Sequence, residues 1–404
     1  MAAGPRDTVP HRIGLYLAAV QFFFALTWTV YVIFLPALAA QVGLSRQAVL
    51  PILLADQLIF VAMDFVLGVM ADRVARSVGR VGHAIVSVTL VSCAALLLLP
   101  LLAPAGKAWL FLGLTAVWAA TSSALRAPPL MLLGRYAARS SVPWLSALTL
   151  LGLGIASAIA PYLTLLLRDR DPRWPLALSS IALVAATLGI VRVERSLAKG
   201  SAEPAPPAAA APAGFSARRV SWFLCGVVLL AIGSQIHQFL NSPSLYLRYA
   251  KPADMPYLAP VFWIGFNLLL LPASLATRRY GGLVVMGGSG VVAAIASWLA
   301  LGAGNLTLLV GVQLVAGGAW GCVLASAVAA ALAIGHTGRE GTVTGALFSM
   351  LALAAAARIA MLAAELRKQA PYDTWIAWAP VAALACAGVL LLGLASKQRR
   401  PGAA

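Results

Sequence analysis

The sequence predicts an all-α integral membrane protein, twelve transmembrane helices arranged as two pseudo-symmetric six-helix bundles. Three observations carry that prediction. Of the 404 residues, 61% are hydrophobic and only 10% charged, too few charges to cover the surface of a water-soluble domain this large. Apolar runs of the roughly 20 residues needed to cross a hydrocarbon core of about 30 Å recur along the whole chain. One Pro/Ala-rich stretch, GSAEPAPPAAAAPAGFSARR at 200–219, parts those runs six and six.

The runs are expected at about 13–38, 48–71, 82–103, 108–134, 143–167 and 174–191, then 220–246, 256–276, 282–302, 305–334, 341–364 and 374–396. They are rich in Leu, Ala, Val and Gly without the period-2 alternation of a barrel strand, so helices that satisfy their own backbone are the form they can take in lipid. Run 1 places Gln21, Phe24, Trp28 and Tyr31 on one face, with Thr27 beside it. Run 2 holds Asp56 and Asp64 within its apolar length and ends on GVMADRVARSVGR (68–80). Run 3 is plain, and run 4 repeats the one-sided pattern with Thr115, Trp118, Ser122 and Arg126. Run 5 reads ALTLLGLGIASAIAP and run 6 is plain again.

These six form the first half, 1–192, joined through a linker at 193–219 to the second half, 220–404. Run 7 is the most polar, with Ser234, Gln235, His237, Gln238, Asn241 and Ser242 on one arc. Run 8 ends Ala276, Thr277, Arg278, a faint echo of Ala71, Asp72, Arg73 at the end of run 2. Run 9 is plain, run 10 carries Gln313, Gly317 and Trp320, run 11 carries Arg358, and run 12 is plain. The N-terminal MAAGPRDTVPHR precedes an apolar run too long for a signal peptide, so retention is expected.

The formal charge of +17 is a matter of orientation. With the N-terminus cytoplasmic, 18 of the 29 Lys and Arg fall on the cytoplasmic side, 9 on the far side and 2 inside helices. That bias is the positive-inside rule, and it places both termini in the cytoplasm of a cell (inner) membrane protein. No nucleic-acid partner is expected. Cys93, Cys225, Cys322 and Cys386 lie singly in apolar runs, without the spacing of a metal or redox site. No phosphate-binding G-x-x-x-x-G-K-[ST] occurs. An enzyme, a metal and a cofactor are therefore not expected, and energy for any transport must come from ion gradients.

The end of run 2 resembles the loop between helices 2 and 3 of the major facilitator superfamily. Gly68, Asp72, Arg73 and Arg76 match its pattern, while Ala75 and Ser77 replace a glycine and a base, with Arg80 nearby. The resemblance implies that this loop latches the cytoplasmic gate against helix 11, which starts near Gly341. It also implies that helices 1, 4, 7 and 10 line a central cavity, and those are the four runs with polar or aromatic stripes. Run 5 places Ala147, Ala156, Ala160 and Pro161 at the spacings of the family's antiporter signature, although Thr164 and Leu165 depart from it.

The expected function is a secondary transporter that moves a small organic solute by alternating access, coupled to protons, with a lean to efflux, working as a monomer in the lipid bilayer. Trp28, Tyr31, Arg126, Gln238, Asn241 and Trp320 are expected to meet solute. Asp64 and Arg126 lie at similar depth and are expected to pair, because an uncompensated charge in lipid is costly. Asp56 has no cation at its level and is the expected proton carrier, with His237 a second. The alternative is an assembly or sensory protein that keeps this fold without transport.

Overall fold

The computed structural model describes residues 11–75, 80–137, 140–200, 217–335 and 338–398. Among these, twelve helices are long and apolar enough to cross a membrane. In the first half they are α1 (His11–Gln41), α2 (Arg46–Val74), α3 (Arg80–Leu102), α4 (Ala108–Tyr136), α5 (Val142–Leu167) and α6 (Arg173–Ala198). In the second they are α7 (Ala217–Tyr246), α8 (Pro252–Tyr280), α9 (Gly282–Leu301), α10 (Leu306–Gly335), α11 (Glu340–Ala363) and α12 (Tyr372–Ser396). One end of the assembly, carrying Arg73, Arg80, Arg135, Arg192, Arg218, Arg278 and Arg339, is here called the basic face.

Helices α4 and α7 are each interrupted ahead of proline. In α4 the α-helix stops at Ser122, passes through a 3₁₀ turn at Ser123–Leu125 and resumes at Pro128–Tyr136. Pro128 and Pro129 have no N–H, so the carbonyls of Ala124 and Leu125 lose their helical donors. Gln21 of α1 supplies a replacement: its Nε2 donates to Leu125 O at 2.7 Å. In α7 a π-helical turn covers His237–Asn241 just before Pro243, the kind of irregularity that recurs at functional positions.

Helix α6 runs further than the sequence pattern indicated, through Ile190–Gly200. The expected linker at 193–219 is correspondingly shorter, since α7 also begins at Ala217; residues 201–216 lie outside the described ones. The extension has a physical cause in Glu194. It is fully buried, and its carboxylate accepts the N–H of Val81 at 3.3 Å and of Gly82 at 2.7 Å. Two donors at the first turn of α3 are thereby satisfied by a negative charge at a helix N-terminus.

Bare backbone is the medium of contact between helices. A Cβ on Gly152 would meet Ala18 O of α1 at 1.8 Å, and one on Gly317 would meet Phe262 O of α8 at the same distance. Across the halves, Gly154 of α5 faces Phe266 and Asn267 of α8, and Gly134 of α4 faces Leu332 of α10. One apolar core, running through Leu17, Ala71, Leu130, Leu145, Leu332 and Leu347, joins both halves. Toward the face opposite the basic one the first half has a separate core around Tyr31, Phe34, Leu96, Phe111 and Trp118.

Candidate functional site

Helix α2 carries a line of residues at four-residue spacing, Asp56, Phe60, Asp64, Gly68 and Asp72, all of them buried. Steps of four keep side chains on a slowly turning face, and here that face looks toward α1, α4 and α11.

At the top of the line, Tyr31 of α1 donates its hydroxyl to Asp56 Oδ2 at 2.8 Å. Both side chains are buried, the tyrosine completely. Depth along α2 alone gave Asp56 no partner; a neutral donor from α1 fills that role. The tyrosine ring packs on Trp118 of α4 with centroids 4.4 Å apart. Trp28 stacks on Trp118 at 5.4 Å and 14°, and it also meets Phe60 at 5.4 Å and Tyr31 at 5.7 Å. Trp28, Tyr31, Phe60 and Trp118 thus form one aromatic cluster from α1, α2 and α4, with the Asp56 carboxyl bonded to its tyrosine. Trp28 keeps part of its surface accessible, as does Arg126.

About two turns below Asp56, Arg126 Nη1 lies 3.3 Å from Asp64 Oδ2. The interruption of α4 at Pro128 and Pro129 places this arginine, and Asp64 is without solvent exposure. The guanidinium also lies over Phe60 at 4.7 Å and over Phe348 of α11 at 5.5 Å. A cation held between two aromatic faces is compatible with burial. The pair consequently touches both halves of the molecule.

Below that, α2 and α11 meet through glycine. A Cβ on Gly68 would stand 2.3 Å from Gly341 O, and one on Gly345 would stand 2.4 Å from Asp64 O. At the end of the line, Asp72 Oδ1 accepts the Gly341 N–H at 2.7 Å. Its Oδ2 accepts the Thr342 N–H at 2.7 Å and the Thr342 hydroxyl at 2.6 Å. The carboxylate of one half therefore caps the first turn of a helix in the other, where free N–H groups and the helix dipole favour a negative charge. Arg73 is exposed beside it. Arg76, expected in the same latch, lies outside the described residues. Arg135, from the end of α4, is within electrostatic reach of Asp72 and of Glu340 at the start of α11.

In the second half the polar arc of α7 divides. His237 Nε2 is 3.0 Å from Gln313 Oε1 of α10, both buried. Gln238 is half-buried and Trp320 is buried, its flank on α10 set by the close approach of Gly317 and Gly321 to α8. Asn241 departs from the expected role of meeting solute. Its Nδ2 donates to the carbonyls of Ile376 and Ala377 of α12, each at 3.1 Å, and its Oδ1 accepts from Arg367. With every polar atom engaged inside the second half, this amide fixes α7 against α12. Arg358, expected to need a partner, has its guanidinium 4.2 Å from the Phe239 ring centroid.

The sequence reading did not single out Phe60, Phe348, Glu194, Arg135 or Arg367. For Phe60 a signal was present, since it falls midway between Asp56 and Asp64 on the same four-residue line. The aromatic cluster, the ion pair and the capped first turn of α11 follow one another down α2.

The sequence matches the family model of the Major Facilitator Superfamily over residues 17–357. Comparison with curated proteins gives no match. Among solved structures, the human organic anion transporter MFSD10 (TETRAN) is 14% identical, with 98% of this chain and 99% of that chain covered and a TM-score of 0.70. A bacterial homologue of the iron transporter ferroportin, in an outward-facing state, is 15% identical over 95% of this chain and 100% of that one, with a TM-score of 0.70. The E. coli fucose:proton symporter FucP is 14% identical over 96% and 98%, with a TM-score of 0.64. At such identities the likeness speaks to the fold. The family match covers most of the length, and the chain belongs to the Major Facilitator Superfamily, a multi-pass membrane transporter.

Proposed function

We propose that this transporter moves a small organic solute by alternating access, driven by protons that bind and leave Asp56. The observation that carries this reading is the buried Asp56 carboxyl, held by a neutral hydroxyl donor rather than a cation. A carboxyl buried beside a neutral hydroxyl is cheap to bury when protonated and costly when charged. Arrival of water on one side and its removal on the other therefore exchanges a proton with each passage. His237, held by Gln313, is a second candidate carrier.

Solute is proposed to lie between the halves against Trp28, Arg126, Gln238 and Trp320, with Tyr31 acting through Asp56. On the second half, Gln235 Oε1 and Gln313 Nε2 are buried polar atoms with no hydrogen-bond partner among the described residues, which supports a polar ligand there. The basic face is proposed to be cytoplasmic, with both termini, in the inner membrane. Asp72, Gly68 and the Gly134–Leu332 contact hold it closed in this conformation. The alanine series of α5 is the feature that favours export. The monomer is proposed as the working unit, since Asp56, Arg126 and the gate all come from one chain.

The test is solute flux in proteoliposomes under an imposed pH gradient, comparing wild type with Asp56→Asn and Arg126→Ala. Asp56→Asn should lose gradient-driven accumulation while keeping solute exchange between equal pools. Normal gradient-driven transport with unaltered pH dependence in both variants would reject the assignment.

A further inference from the structure

On the face opposite the basic one, inside the second half, the ends of α7, α9 and α12 border an open crevice of about 470 Å³. Two arginines reach it from different elements. Arg248 follows the end of α7, and its Nη1 donates to Leu301 O at the C-terminus of α9 at 3.4 Å. Arg367 comes from the turn between α11 and α12 and donates to Asn241 Oδ1. Against them stand one carboxylate, Asp373, and the hydroxyl of Thr374. Leu301 and Ala377 give an apolar floor, and Trp378 is half exposed at the rim.

We propose that this crevice binds a phosphate group, with Arg248 and Arg367 as its two ligands. Two guanidinium groups converging on one space repel each other, and a dianionic or monoanionic phosphate is the partner whose geometry matches their donors. Burial and the neighbouring Arg248 both disfavour the charged form of Arg367, which Asp373 only partly offsets; a bound phosphate removes that conflict. The setting also fits. Tyr372, Trp375 and Trp378 are exposed at the start of α12, the level at which aromatic side chains sit between lipid tails and water. The phosphate can thus belong to a phospholipid headgroup or to a free anion.

The site lies apart from Asp56 and the gate, and it reaches the transport machinery by one route. Arg367 holds Asn241, the last residue of the π turn of α7, and Asn241 in turn holds two carbonyls of α12. Phosphate bound to Arg367 competes for or braces that contact, so occupancy regulates the stiffness of the turn that carries His237.

The experiment uses purified full-length protein. One arm is native mass spectrometry with phosphatidylglycerol; the other is thermal unfolding in a neutral detergent with titrated inorganic phosphate against chloride of equal ionic strength. Arg248→Gln should weaken binding roughly tenfold, the loss of one charge-assisted contact. Asp373→Asn, which removes the competing negative charge, should tighten it roughly threefold. Response in the lipid arm alone identifies a headgroup site, in the phosphate arm alone a free-anion site, and in both a site for either. Absence of both responses in wild type, or equal binding by wild type, Arg248→Gln and Asp373→Asn, overturns the proposal. The Asp373→Asn gain keeps the test decisive should Arg248→Gln fail to fold. Loss of proton-driven transport in Asp56→Asn bears on the other reading and leaves this one untouched.

Discussion

Substituting Gly68 by alanine is the sharpest perturbation of the gate. The new Cβ would stand 2.3 Å from Gly341 O and 3.0 Å from Gly345 Cα. Carbon and oxygen settle at about 3.3 Å or more, so α2 and α11 must part by roughly 1 Å, and both obstructing atoms are backbone that cannot swing aside. The same displacement takes the Gly341 and Thr342 N–H groups, now 2.7 Å from Asp72, beyond hydrogen-bond reach. Bonds to a charged group are each worth about 1.5–3 kcal/mol. Water replaces part of that in the open form, so a net loss of about 3 kcal/mol is a fair central figure. At 1.4 kcal/mol per factor of ten, the closed basic face loses roughly a hundredfold in relative population.

The assay is maleimide labelling of a single cysteine at position 332, where Leu332 is buried against Gly134, in a background lacking the four native cysteines. Gly68→Ala should raise the labelling rate at least tenfold. Asp72→Asn, which leaves the helix contact intact and removes the charge, should raise it in the same direction by less. An unchanged rate in a well-folded Gly68→Ala protein would refute the reasoning that this contact holds the face shut.

Other outcomes follow from the same geometry. Arg126→Ala strands the Asp64 carboxylate without its counter-charge and should cost about 3–5 kcal/mol of stability, read as a lowered Tm, while Asp64→Asn combined with Arg126→Gln should recover much of it; equal losses in single and double variants would argue against the pair. Gln21→Leu leaves the Leu125 carbonyl without a donor at the α4 interruption and should destabilise by about 1–3 kcal/mol, measured by thermal unfolding in detergent. Glu194→Gln keeps the shape of the cap on α3 but removes its charge, and should cost about 1 kcal/mol by the same measurement.

The helix count was legible because lipid imposes length and apolarity on each span, and these are properties of a sequence window. The Asp64–Arg126 contact was legible for a related reason: depth in the membrane can be counted along each helix at 1.5 Å per residue, and two opposite charges at one depth have a strong incentive to meet. Counting depth gives no lateral direction, and so the hydroxyl of Tyr31, 25 positions from Asp56, stayed hidden, as did the bond from Gln21 to Leu125.

Asn241 turns away from the polar arc for a specific cause. Its place on the arc of α7 rests on 100° per residue, and the π turn at His237–Asn241 inserts extra chain that rotates everything beyond it. The amide accordingly points at α12. Glu194 was missed because its surroundings, VERSLAKG, look like the charged start of a linker; only the nearness of the α3 N-terminus makes a buried carboxylate sensible there.

Alternating access itself is tested most directly by measuring distances across both faces of the protein in nanodiscs. Spin labels at Arg80→Cys and Arg339→Cys span the basic face, and labels at Gln47→Cys and Lys251→Cys span the opposite one; all four positions are exposed. Lowering the pH or introducing Gly68→Ala should lengthen the first distance and shorten the second in matching proportions, with Asp56→Asn removing the pH response. Two fixed, single distances that ignore pH and Gly68→Ala alike would contradict the account.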